Sequence, residues 1–103
     1  MPWIDRFDFG EQFVDLRNPK GTRRAEALLA ELGRELTPGH PLHGREVRVV
    51  AEALPQDEIV VAAGEHVALV HLTWSAREEA TPWPATEFVE AADAFADLVE
   101  YRY

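Results

Sequence analysis

The chain has no cysteine, a single lysine (Lys20) and no long apolar run. Without cysteine there is no disulfide, no thiol nucleophile and no thiolate metal ligand. Small secreted domains ordinarily rely on such crosslinks, so a reducing compartment is expected. The most apolar stretch, Ile59 to Leu72, is interrupted by Gly64, Glu65 and His66. A membrane-spanning helix needs about 20 apolar residues, so none is predicted. The opening Met1-Pro2-Trp3-Ile4-Asp5-Arg6 lacks the basic and apolar regions of a secretory leader. A cytoplasmic location is the expectation.

Positive charge is also scarce. Ten Lys+Arg stand against 19 Asp+Glu, a formal net charge of −9. Such a chain repels phosphate backbones and anionic lipid, so neither nucleic acid nor a membrane is expected as a partner. Charge of this sign suits solubility, or steered association with a basic protein.

What is present suffices for one domain. The 103 residues are 47% hydrophobic and include three Trp, five Phe and two Tyr. A chain of this length buries one modest core, which predicts a two-layer α+β domain. Residues 1–21 read as an aromatic and acidic arm, with Trp3, Phe7, Phe9 and Phe13 between Asp5, Asp8, Glu11 and Asp15. Neither a helical nor a strand period persists there, so a short strand or a turn of helix is the most the arm is expected to hold before the Asn18-Pro19-Lys20-Gly21 turn signal. Residues 22–103 form the expected domain.

Thr22 to Leu36 has helical spacing, with Thr22 as N-cap and Ala25, Leu28, Leu29, Leu32 and Leu36 on the apolar side. Arg23, Glu26, Glu31, Arg34 and Glu35 are expected on the other side. Gly33 weakens this helix by about 1 kcal/mol relative to Ala, and Thr37-Pro38-Gly39 stops it. From Arg45 to Leu54 the residues alternate, with Val47, Val49, Ala51 and Ala53 expected on one face of a strand. Glu58 to Ala63 and His66 to Trp74 are further strands, joined by Gly64-Glu65 as a two-residue turn. That turn predicts a register in which Ala63 pairs with His66, Val60 with Leu69, and Glu58 with His71. The segment from Thr86 to Tyr103 reads either as one helix or as a short strand followed by a helix.

Several stretches match a known pattern: His40-Pro41-Leu42 with Gly44 and Val47, Val70-His71-Leu72-Thr73-Trp74, and Trp83-Pro84 with Thr86 and Phe88. Over residues 27–97 the chain resembles a family of small uncharacterised bacterial proteins with HPL and VHLTW signatures. The resemblance carries no catalytic residue across. It implies a short strand after Trp83-Pro84 and then a terminal helix. The expected order is therefore α-β-β-β-β-α, an antiparallel sheet packed by N- and C-terminal helices.

Three sets of residues are candidates for chemistry. His40 and His43 have a spacing that a metal site could use if His71, Asp57 or Glu58 completed it, but a specific zinc motif needs four ligands. No cofactor is expected. Glu58 and His71 face each other in the predicted register, as a carboxylate and imidazole would in general-base catalysis, with Thr73 or Ser75 as nucleophile. No Gly-rich elbow or oxyanion loop accompanies them, so a structural cross-strand pair is the favoured interpretation. Finally, Asp93, Asp97 and Glu100, with Glu87 and Glu90 nearby, form an acidic stripe. Trp3, Trp74 and Trp83 could frame a pocket or anchor an interface, though in so short a chain Trp is more often core or edge cover.

The sequence points to a non-catalytic protein-binding protein, an acidic inhibitor such as a bacterial toxin-immunity protein. A small enzyme using His40, His43, Glu58 and His71 is the first alternative. An accessory subunit whose Phe7, Phe9 and Phe13 contact a second copy is the other.

Overall fold

In the computed structural model, which describes residues 3–11, 13–53, 58–72 and 85–102, the chain forms one antiparallel sheet between two helices. A 3₁₀ turn, Trp3–Arg6, leads to β1 (Phe13–Asp15). A second 3₁₀ turn, Pro19–Gly21, runs directly into α1 (Thr22–Glu35). The strands β2 (Arg48–Ala53), β3 (Glu58–Ala63), β4 (His66–His71) and β5 (Ala85–Val89) follow, and then α2 (Ala92–Arg102). Sheet order equals chain order, β1-β2-β3-β4-β5. The α+β class and the antiparallel sheet are as expected, and the strand-then-helix interpretation of the last segment is the one observed. The arm adds a fifth strand.

The β3–β4 hairpin has the register that the Gly64-Glu65 turn predicts, from Ala63 opposite His66 to Glu58 opposite His71. Gly64 sits at φ +62°, a left-handed conformation that glycine adopts without steric cost. Strands β3 and β4 are buried on both faces, because the helices lie on opposite sides. Leu28 and Leu32 of α1 pack with Ile59, Val61, Ala68 and Val70. Phe95 of α2 packs with Val60, Ala62, Val67 and Leu69 on the reverse face. The sheet is thus the middle of three layers, one more than composition suggests.

The expected face of β2 is not a single face. The pairing shifts between Val49 and Ala51, leaving Val50 as a bulge. One extra residue reverses the strand's alternation. Val49 therefore packs on the α1 side, whereas Ala51 and Ala53 pack on the α2 side. Charged residues follow the same reversal: Arg48 reaches Asp5 in the first turn, and Glu52 reaches Arg24 of α1.

Two expectations for α1 are corrected. Its entry is capped by Asn18, whose Oδ1 accepts from the Gly21 amide at 3.1 Å, and not by Thr22, which is the first helical residue. The 3₁₀ turn supplies the start that a side-chain cap at Thr22 would have supplied. Gly21 is needed for close approach: a Cβ there would lie 2.7 Å from the Leu16 Cα. The buried stripe is also rotated. Leu29 is exposed, whereas Glu31 and Glu35 are buried beside Leu28 and Leu32. Glu31 accepts from Arg34 at 2.8 Å, and neither carboxylate is without a partner.

The arm is held in place by aromatic packing and one guanidinium. Trp3, Phe7, Phe9 and Phe13 surround Phe95 with ring centroids 4.9–6.0 Å away, within the usual range for aromatic pairs. Arg17 donates to the Ile4 carbonyl at 2.7 Å and to the Phe7 carbonyl at 2.8 Å, and stacks over the Phe9 ring. Its Nε also donates to Asp15 Oδ1 at 2.8 Å. Hydrogen bonding from Arg17 holds the Asp15 carboxyl below the usual aspartate range, and the same pairing raises Arg17. The rings named for a contact between copies are therefore engaged inside the chain.

Candidate functional site

Glu58 and His71 are Cα partners in the ladder, as expected. Their environments differ sharply. Glu58 is buried and His71 is exposed. Among the described residues no ion pair joins them, and Glu58 is not without a partner. The register juxtaposes the two residues without building a carboxylate–imidazole dyad. Asp57, Thr73, Ser75, Trp74 and Trp83 lie outside the described residues.

His40 and His43 separate in the same way. The segment after α1 is a run of tight turns: the His40 amide donates to the Thr37 carbonyl, and the His43 amide to the His40 carbonyl. These turns bury His40 and Leu42 and leave His43 exposed. The Leu42 amide donates to His40 Nδ1 at 3.0 Å, and His40 Nε2 lies 3.0 Å from Thr86 Oγ1. Thr86 pairs with Val70, whose side chain packs with α1, so His40 belongs to the α1 face. Glu58 and His71 share the alternation of Val60 and Leu69, which pack with α2. His40 thus lies on the face of the sheet opposite Glu58 and His71. Among the described residues no three His, Asp or Glu side chains converge as metal ligands would.

The acidic residues are exposed on two successive elements. Glu87 and Glu90 lie on and just after β5, and Asp93, Asp97 and Glu100 lie on α2; all five are exposed. Helical spacing explains the sorting, since Phe95, Leu98 and Val99 face the sheet and leave Asp93, Asp97 and Glu100 outside. The charge imbalance has a location in the sequence. Residues 1–48 carry eight basic and eight acidic side chains, and residues 49–103 carry two basic and eleven acidic. His66 stands at the rim, with Nδ1 3.7 Å from Glu90 Oε2 and its ring edge-on to Phe88.

Between β5 and α2 runs an open groove of about 350 Å³. Phe88 is 36% exposed there. Sequence periodicity could not locate this hollow, because it arises from how α2 lies beside the strand. The buried Glu31, Glu35 and His40 were also unforeseen as interior polar groups, since carboxylates at helical spacing usually mark the solvent side. Comparison of the chain with family models, curated proteins and solved structures gives no match.

Proposed function

We propose that the chain is a small, acidic, non-catalytic protein-binding protein that docks on a basic surface of its partner, in the manner of an inhibitor such as a toxin-immunity protein. One observation carries this reading: Glu87, Glu90, Asp93, Asp97 and Glu100 are all exposed, on or next to β5 and α2, in the part of the chain that holds the whole net charge. A concentrated field of one sign speeds encounter with an oppositely charged surface and disfavours wrong partners. Such association is salt-sensitive, because these charges are in water and screened over about 10 Å at 0.1 M salt.

The test is capture of partners by the tagged chain from its own cells at low and high salt, with Asp93→Lys/Asp97→Lys in parallel. The expected result is one stoichiometric basic partner, released by salt and bound at least about tenfold more weakly by the variant. Unchanged affinity in the variant would overturn the electrostatic reading.

A further inference from the structure

Phe88 pairs with Ala68 in the ladder, and partners across a ladder share a face, so its ring stands on the α1 side of the sheet. Strand alternation puts His66 on that side too. The two rings are nearly perpendicular, with centroids 6.3 Å apart. The Glu90 carboxylate approaches the same imidazole, its Oε2 lying 3.7 Å from Nδ1. One histidine thus brings an aromatic ring and a carboxylate side by side. All three are open to solvent: Phe88 is 36% exposed, and the side chains of His66 and Glu90 are 53% and 69% exposed. Phe88 takes no part in the aromatic packing around Phe95. Glu65, exposed in the turn before His66, adds negative charge at this end, and among the described residues no Lys or Arg pairs with Glu65 or Glu90.

A phenyl ring and a carboxylate attract the same kind of group, because the ring's π face is negative and the carboxylate carries a full charge. The fold already contains the complete combination elsewhere. The Arg17 guanidinium lies 4.7 Å from the Phe9 ring centroid while it donates to Asp15. Phe88 and Glu90 offer the ring and the carboxylate without the cation. We infer that they seat an arginine side chain of the basic partner, its guanidinium over the ring and its donors on the carboxylate. The inference rests on the acidic docking reading above and names one contact within it. Arginine is selected over lysine because its planar, weakly hydrated guanidinium stacks on aromatic faces and meets a carboxylate with paired hydrogen bonds. His66 is a positioning residue that sets ring and carboxylate beside each other. α2 packs on the opposite face of the sheet, so the docking surface includes both sides of β5.

The experiment follows amide NMR shifts of the full-length, ¹⁵N-labelled chain titrated with the end-capped peptide Gly-Gly-Arg-Gly-Gly. The control carries citrulline in place of arginine, which keeps the shape and loses the charge. The arginine peptide is expected to bind at least about fivefold more tightly than the control, with shifts centred on His66, Phe88 and Glu90. Phe88→Leu is expected to weaken it about two- to fivefold, the range of an exposed cation–π contact. Phe88→Trp is expected to match or exceed wild type, since indole is the better partner for a cation. A substitution that merely disturbed the strand would weaken binding in both variants. Glu90→Gln is expected to lose about as much as Phe88→Leu. Any other order of the Phe88 proteins, full affinity in Glu90→Gln, or equal binding of the two peptides would overturn the arginine seat. The capture experiment then still decides the acidic docking reading, because Asp93→Lys/Asp97→Lys changes α2 and leaves Phe88 and Glu90 in place.

Discussion

His40 Nε2 lies 3.0 Å from Thr86 Oγ1, tying the turns after α1 to the edge strand β5. The other ring nitrogen, Nδ1, accepts from the Leu42 amide at 3.0 Å. A nitrogen that accepts carries no proton, so this bonding assigns the neutral ring's proton to Nε2, which donates to the threonine oxygen. The imidazole acts here as a buried crosspiece. It satisfies a backbone donor that a buried turn would otherwise orphan.

Removing that crosspiece should cost more than an ordinary truncation. His40→Ala is expected to lower stability by about 2–3 kcal/mol, since it leaves a cavity and an unsatisfied Leu42 amide. Thr86→Val is expected to cost about 1 kcal/mol. Urea unfolding of both singles and the double variant gives the coupling, expected near 1 kcal/mol. Strict additivity would mean that the contact contributes nothing.

Arg17 should be irreplaceable by lysine. Its planar fork reaches the Ile4 and Phe7 carbonyls and Asp15 together, whereas an ammonium is a compact donor without that span. Both Arg17→Ala and Arg17→Lys are expected to speed hydrogen exchange and proteolysis in residues 3–11. Lysine should restore less than half of what alanine loses. Full protection in the lysine variant would show that charge alone anchors the arm.

The Asp15–Arg17 pair predicts a pH dependence with a definite sign. Pairing lowers the carboxyl's folded-state pKa below the ordinary aspartate value of 3.8. A group lowered on folding adds stability that is fully present above its unfolded value and is lost as pH falls through the folded one. Wild type should therefore exceed Asp15→Asn in stability at neutral pH. The gap should close as pH drops below about 4. The margin is small, because the carboxylate is 41% exposed and solvent screens it. A gap that widens toward acid would contradict the pairing.

Much of the sheet was legible because its determinants are local. A two-residue turn opening on Gly64 fixes every partner from Ala63–His66 to Glu58–His71. Alternation alone could not locate the Val50 bulge, which is visible only once β2 must serve two opposite cores. β1 was legible only as a short strand or helical turn somewhere in the arm. Three residues carry no periodicity, and Phe13 is drawn into place by Ala53 and Phe95. In α1 the spacing of Leu28 and Leu32 located the helix but not its rotation. Glu31, paired with Arg34 one turn on, and Glu35 hold buried positions while Leu29 is exposed, a rotation that leucine spacing alone does not set. The acidic surface was legible residue by residue. The enzymatic cluster was not a cluster, because sheet alternation sends His40 and His71 to opposite sides.

The ring of aromatics around Phe95 joins residues 3–13 to a helix more than 80 positions later. Closing so long a loop is entropically costly. It also makes the arm and α2 a single cooperative unit: whatever lifts one from the sheet strips the packing of the other. Displacing α2 would thus be felt as loosening of the first residues of the fold, at Trp3.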